Sequence, residues 1–217
     1  MIVNQFSVFE TYMWNMYTEM DKYDILGYII LFGLLAVCLY MYLEGDTMEL
    51  KCVVSTVDGQ KYCVRDRKEV DRAANLLAKI TTQCKKLVEY IAETHPDKDC
   101  VKRLKSGFNP KKIMETLPTS EYTAYSENKG EKLAFCLNKD KKNNNDLIGE
   151  HTLMFVALHD LSHIATESVG HKSDFWQNFK FILECAKDAG IHDPEDYKKK
   201  PAEYCGMKIR DNPFYDA

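Results

Sequence analysis

An uncharged apolar run near the amino end constrains the fold of this chain more than any other feature. It covers the 19 residues 25–43, ILGYIILFGLLAVCLYMYL. At about 1.5 Å per residue, such a helix is roughly 28 Å long, which is close to the hydrocarbon thickness of a bilayer. Tyrosines lie near both ends of the run, where amphipathic rings favour the membrane interface. The run therefore predicts a single transmembrane helix over residues 23–44.

Two alternatives to a transmembrane helix fit the sequence less well. A cleaved signal peptide would begin with a short basic segment, whereas residues 1–22 are long and acidic. No small-x-small cleavage site follows Leu43 either. A buried core helix would need apolar surroundings on all sides. The lysines that flank the run, Lys22 before it and Lys51 and Lys61 after it, slightly favour a carboxyl-terminal domain on the cytoplasmic side.

Charge divides the chain in the same way as the apolar run does. Residues 1–46 hold six acidic side chains and one lysine, a balance of −5, which leaves +1 for the rest of a chain of net charge −4. A nearly neutral domain without a basic stripe is a poor nucleic-acid binder, so we expect no nucleic-acid partner. Residues 1–22 also carry eight aromatic and methionine side chains from Phe6 to Met20. They predict an interfacial helix, a docking surface for a protein partner, or a loosely ordered terminus.

The eight cysteines predict no metal ribbon or redox motif, because none of them forms a C-x-x-C pair. Cys38 lies in the apolar run, which leaves an odd number, seven, for the rest of the chain. We therefore expect mostly free, buried thiols and a reducing, cytoplasmic-side compartment.

The remaining residues, 47–217, predict one domain of the α+β class. Apolar spacing and turn signals define its elements. In chain order we expect a hairpin over 51–64, an amphipathic helix over 67–94, an irregular stretch over 98–120, a hairpin from strands 122–127 and 132–138, a helix over 149–168, a helix from 173 or 174 to 189, and a packed tail over 198–217.

Three histidines lie within 13 residues of this domain, in the pattern H-x-x-x-H-x₇-H: His159, His163 and His171. Residues four apart share one face of a helix, so the first two imidazoles can bind one ion. Gly170 turns the chain just before His171, which allows that side chain to return to the site. The pattern predicts an open three-histidine Zn²⁺ site. Glu184, on the next helix, is the alternative third ligand.

Asp160 occupies the position at which the H-E-x-x-H motif of zinc peptidases carries its glutamate base. In such sites zinc polarises a peptide carbonyl and activates water, and the carboxylate accepts the water proton. The carboxylate of aspartate is retracted by one methylene, and a displacement of about 1 Å can cost on the order of 100-fold in rate. The sequence therefore predicts Asp160 as the catalytic base of a site that works slowly or not at all.

Residues 159–176, HDLSH…GHKSDFW, resemble the zincin-type metallopeptidases of the SprT-like and WLM groups, in which H-E-x-x-H is followed by G-H-x-x-x-F. This resemblance implies a zincin-like fold, with His159, His163 and His171 as zinc ligands and Asp160 at the base position. It also implies that the strand near 132–138 lies above the site and holds a substrate chain extended.

Three longer stretches, residues 115–138, 155–184 and 199–216, resemble uncharacterised membrane-anchored proteins of large DNA viruses of algae and protists. Together with the site pattern, this resemblance implies a membrane-anchored zinc metallopeptidase that cleaves a protein or peptide substrate. The alternative is a weak or inactive zincin that serves as a structural, virion membrane-associated component such as a minor capsid protein. In both cases we expect a single-pass protein of a virion or of a host internal membrane.

Overall fold

The computed structural model describes residues 22–43, 50–141 and 146–216. The chain divides into two compact units, Met1–Met48 and Glu49–Ala217. The interfacial helix or docking surface predicted within residues 1–22 therefore lies, apart from Lys22, outside the described residues.

The first unit contributes one helix, Lys22–Leu43 (α1). Its segment Asp24–Met41 has the length and the apolar composition needed to cross a membrane, and none of that segment is buried. Because core helices of soluble proteins and signal sequences can also be this long and apolar, α1 by itself is weak evidence for a membrane span. The transmembrane helix remains a prediction.

The second unit combines four helices with short strands, so the α+β class is correct within the described residues. The helices are Val70–Thr94 (α2), Asp99–Gly107 (α3), Glu150–Ala165 (α4) and Ser173–Asp188 (α5). The strands are Leu50–Val54 (β1), Lys61–Arg65 (β2), Ile113–Glu115 (β3), Ala124–Glu127 (β4), Lys132–Phe135 (β5), Ala202–Tyr204 (β6) and Met207–Ile209 (β7), and a 3₁₀ turn covers Pro213–Tyr215.

The strands form three small sheets. β1 and β2 are an antiparallel hairpin, and β6 and β7 are another. The third sheet has the order β3-β5-β4, in which β5 pairs parallel with β3 and antiparallel with β4. Two parts differ from expectation. β3 lies in the stretch predicted to be irregular, and the predicted tail contains the β6–β7 hairpin, because three-residue strands show no readable alternation.

Helix α4 lies at the centre of the second unit, where it packs against α2, α3 and α5. Eleven of its 16 residues are buried. From Leu153 to Ala165 the two side chains of α4 that are not buried are His159 and His163. The helix ends at Ala165, earlier than the predicted residue 168, because Thr166 adopts an extended backbone. Core packing thus holds the helix that carries both histidines.

The cysteine prediction was wrong for half of the cysteines. Cys52 and Cys63, which face each other across β1 and β2, form one disulfide, and Cys136 and Cys205 form a second. The four free cysteines are Cys38, Cys84, Cys100 and Cys185. The spacing of the cysteines in the sequence could not predict these pairs. Strand pairing brings the first pair together, and the tertiary fold brings the second pair together. Since disulfides persist in oxidising surroundings, the cysteines no longer support a reducing compartment.

Candidate metal centre

The fold brings the three predicted histidines together. His159 and His163 project from α4, and His171 lies in the loop that connects α4 to α5, directly after Gly170, which adopts a φ of +82°. The Nε2 atom of His171 lies 2.9 Å from Nε2 of His159 and 3.2 Å from Nε2 of His163. One ligand atom from each histidine lies within 4.8 Å of the others. Three imidazole nitrogens therefore converge on one point.

This donor set fits a zinc ion. At Zn–N distances of about 2.0–2.1 Å, tetrahedral ligand nitrogens are separated by roughly 3.3 Å, close to the two spacings seen here. Burial is the main cause that lowers the pKa of His163, to about 4, and it also lowers the pKa of His171. Both imidazoles are therefore neutral near pH 7, which is the form that binds a metal. Three imidazole ligands carry no negative charge, so they would leave the charge of a bound cation uncompensated and able to polarise a fourth ligand.

Asp160 lies on the far side of His159 from this point of convergence. Its Oδ1 atom is 3.1 Å from Nδ1 of His159, and the residue is only 2% exposed. A hydrogen bond from Nδ1–H to the carboxylate leaves Nε2 of His159 with its lone pair free for a metal. The other oxygen, Oδ2, is buried and has no hydrogen-bond partner in the described part of the chain. Burial raises the pKa of this carboxyl group. Asp160 is thus placed to orient His159, with one oxygen uncommitted.

Phe175, in the first turn of α5, packs among all three imidazoles. Its ring centroid lies 5.1 Å from that of His159, 4.3 Å from His163 and 4.6 Å from His171. The residue is fully buried. The sequence predicted no role for Phe175 at the site. The available signal was its position four residues after His171, in the G-H-x-x-x-F pattern.

A cleft of about 400 Å³ opens beside the histidines. His159, Asp160 and His171 line it, and so do Tyr204 and Met207 of the β6–β7 hairpin. Its lining is mainly apolar and includes Phe155, Trp176, Phe179, Met207, Ile209 and Pro213. Residues 198–217, which the sequence predicted to be a packed tail, therefore contribute to the site.

The strand that borders this cleft is β4, which corrects the expectation for residues 132–138. β5 is the central strand, so both of its edges are already paired. β4 pairs with β5 on one side, and no described strand lies on its other side. Cys136 N–H donates to Thr123 O, and paired and unpaired positions alternate along an antiparallel ladder. The backbone polar groups of Ala124 therefore point away from β5, and Ala124 lines the cleft.

The other candidate residues lie elsewhere. Glu184 is exposed on α5 and is not part of the histidine cluster. His151 stacks on His192 with ring centroids 4.3 Å apart, and His95 packs edge-on against Phe181. Among the described residues the structure thus offers His171, and not Glu184, as the third ligand.

Comparison with known proteins finds two viral relatives. An uncharacterized protein of Acanthamoeba polyphaga mimivirus is 26% identical over 194 residues, which are 88% of this chain and 97% of that protein. An uncharacterized protein of Invertebrate iridescent virus 6 is 27% identical over 101 residues, 46% of this chain and 55% of that protein. No protein-family model matches the chain.

Among solved structures, two of Wss1 from Saccharomyces cerevisiae are similar to this chain. The first has a TM-score of 0.43 at 16% identity and covers 58% of this chain and 89% of that one. The second, a Wss1 mutant, has a TM-score of 0.44 at 16% identity and covers 59% and 92%.

Proposed function

We propose that this protein is a membrane-anchored, zinc-dependent peptidase of the zincin type, with His159, His163 and His171 as zinc ligands. The observation that carries this proposal is the convergence of three imidazoles at an apolar cleft beside a sheet edge. Binding sites are concave, mostly apolar and equipped with a few convergent polar groups, and this cleft has those properties.

The proposed substrate is an extended polypeptide with apolar side chains. The outward backbone groups of Ala124 on the edge strand β4 can add a main-chain segment by hydrogen bonding. Side chains of that segment would then meet the rings of Phe155, Trp176 and Phe179. No cluster of basic side chains lines the cleft in the described residues, and this composition suits a protein rather than a polyanion.

Zinc at this site would polarise the scissile carbonyl and activate a water molecule. Asp160 has two tasks in the proposed reaction. Its Oδ1 atom orients His159 through Nδ1. To act as the base, the carboxylate would rotate from its position behind His159 towards the cleft that it lines, where Oδ2 would take the water proton and pass it to the leaving amine. Because the aspartate carboxylate is retracted by one methylene relative to glutamate, we expect slow turnover.

The test uses the full-length chain in detergent, with its zinc content measured by mass spectrometry and its cleavage measured on a diverse peptide library. We expect about one zinc per chain and slow cleavage that His163→Ala abolishes. His151→Ala is the matched control, because His151 is an exposed histidine of the same helix outside the cluster, and it should cleave as wild type does. A wild-type protein without zinc would overturn the proposal.

A second candidate function is a zinc-binding scaffold, for example a structural component associated with a virion membrane. The observation in its favour is the hydrogen bond that commits one oxygen of Asp160 to His159. In that case the wild-type chain binds zinc without cleaving any peptide, and Asp160→Glu gains cleavage. Cleavage by the wild type would exclude the scaffold as its sole function.

The membrane anchor and the identity of the membrane are part of the same proposal. The length and composition of α1 support a single span, and the viral origin of the relatives supports a virion or host internal membrane. Alkaline carbonate extraction separates an integral span from a peripheral association, since only an integral protein stays with the membrane. Residues 1–22 remain a predicted docking segment.

A further inference from the structure

The carboxyl end of α4 is held by a lysine from another part of the fold. Helices end in carbonyl groups without intrahelical partners, and cations favour that end of the helix dipole. Lys129, in the turn between β4 and β5, extends its ammonium group into this cluster of carbonyls. Its Nζ atom lies 2.8 Å from Thr166 O, 3.0 Å from Ser168 O, 3.4 Å from Glu167 O and 3.5 Å from His163 O.

The backbone around Lys129 fixes where this ammonium group lies. Asn128 and Lys129 both adopt positive φ, 47° and 56°, which is uncommon for residues other than glycine. The turn is wedged against α3, since a Cβ atom added to Gly107 would lie 2.5 Å from Lys129 O. It is also wedged against α4, since a Cβ atom on Gly130 would lie 2.7 Å from Cδ1 of Ile164. Strained backbone of this kind persists where the surroundings determine it.

The carbonyls bound by Lys129 lie between two of the three proposed ligands in the sequence. The first belongs to His163 itself, and the last belongs to Ser168, three residues before His171. Ser168 Oγ donates to Asp174 Oδ1 over 2.7 Å, and Asn178 Nδ2 donates to Thr166 Oγ1 over 2.9 Å, so two side-chain hydrogen bonds join the loop to α5. Arg103 also pairs with Glu167 at 3.9 Å. Beside these side-chain contacts, the ammonium group of Lys129 holds the backbone carbonyls of the loop from Thr166 to Ser168.

We propose that Lys129 is a positioning residue of the metal centre. It holds the loop that carries His171 so that this imidazole meets the imidazoles of His159 and His163. It contacts neither the metal nor the substrate. Groups that orient metal ligands from outside typically change metal affinity by about 10–100-fold when they are removed. This role rests on the zinc site of the proposed function and is independent of peptide hydrolysis.

The test measures zinc affinity of the full-length chain in detergent by competition with a chromophoric chelator. Lys129→Met keeps the aliphatic stem and removes the ammonium group, and we expect zinc to bind at least about 10-fold more weakly. Lys132→Met is the matched control. This lysine lies in the same hairpin and pairs with Glu127 at 3.1 Å, and its removal should change the affinity less than about 2-fold.

Two further measurements separate positioning from a general loss of stability. The absorption bands of bound Co²⁺ should lose intensity or shift in Lys129→Met but not in Lys132→Met, because they report the ligand geometry. The thermal midpoints of the two metal-free variants should be similar. If Lys129→Met does not fold, Lys129→Gln, which keeps a hydrogen-bond donor without the charge, provides the same measurement.

Zinc affinity and a cobalt spectrum equal to those of the wild type in the folded variant would overturn the role of Lys129 and leave the zinc site intact. A wild-type chain that binds no zinc would overturn both the site and this role.

Discussion

Among the described residues of this domain two carboxylates are buried, and their surroundings are opposite. Glu115 is 1% exposed and fully engaged, because Oε2 accepts from Arg65 N–H at 2.8 Å and Oε1 accepts from the Arg67 guanidinium. Asp160 is 2% exposed, yet one of its oxygens has no partner among the described residues.

The difference between these carboxylates fits a structural role for Glu115 and the proposed functional role of Asp160. Arg65 also donates to the carbonyls of Thr116 and Leu117, so the cluster around Glu115 ties β2 to the segment after β3. Nothing in that cluster is open to a ligand. Asp160 instead lines a cleft beside three imidazoles. A buried polar atom without a partner is costly, and such atoms persist where function requires them.

The largest expected effect comes from removing the engaged carboxylate. Glu115→Ala leaves two buried guanidinium groups without a counter-charge, and it should lower the free energy of unfolding by about 3–5 kcal/mol. Urea unfolding of the full-length chain in detergent measures this loss. Glu127→Ala, which removes the exposed pair with Lys132, is the control and should cost less than about 1 kcal/mol. Equal losses in the two variants would contradict the structural role of Glu115.

His192 tests whether a buried polar atom without a partner always marks a functional residue. Its buried Nε2 atom also lacks a partner within the described residues, although the residue lies outside the site. Burial is the main cause that lowers its pKa from 6.5 to about 4; the charge of His151 lowers it further, and Asp193 opposes the shift. The unfolded chain therefore binds a proton that the folded chain does not. His192 should contribute full stability above pH 6.5, and that stability falls as the pH drops towards 4, by at most about 3 kcal/mol.

Unfolding curves of the wild type and His192→Gln at several values between pH 4 and pH 7 measure this contribution. We expect the variant to lose part of the pH dependence of the wild type and to keep zinc binding. Weaker zinc binding in His192→Gln would mean that an orphaned buried atom outside the cleft also serves the site.

The smallest expected effect is on the stability of the metal-free protein when Asp160 is changed to asparagine. The substitution keeps the shape of the side chain, and the carboxylate it removes is only half engaged, so the free energy of unfolding should change by less than about 1 kcal/mol. Cleavage, by contrast, should be lost. A large destabilisation would place Asp160 with Glu115 among the structural charges.

Helix positions and the histidine cluster could be predicted because their signals are local. The three- and four-residue spacing of apolar side chains located α2, and the spacing of His159 and His163 placed them on one face of α4. Gly170 before His171 correctly indicated a turn back to the site.

Features that depend on distant parts of the chain could not be predicted in this way. The pairing of Cys136 with Cys205 spans 69 residues, and the partners of Glu115 lie 48 and 50 residues away. The free edge of β4 depends on β3, a strand of three residues, pairing with the other side of β5. The absence of a nucleic-acid partner and the role of residues 1–22 stay predictions.

The position of the proposed zinc on the most buried helix has a consequence for how the protein acquires metal. α4 is held by its packing against three other helices, and eleven of its residues are buried. We therefore expect the proposed site to be assembled before it takes up zinc, unlike in small zinc domains that unfold without their ion. For the proposed peptidase, metal supply would then determine when its chemistry begins.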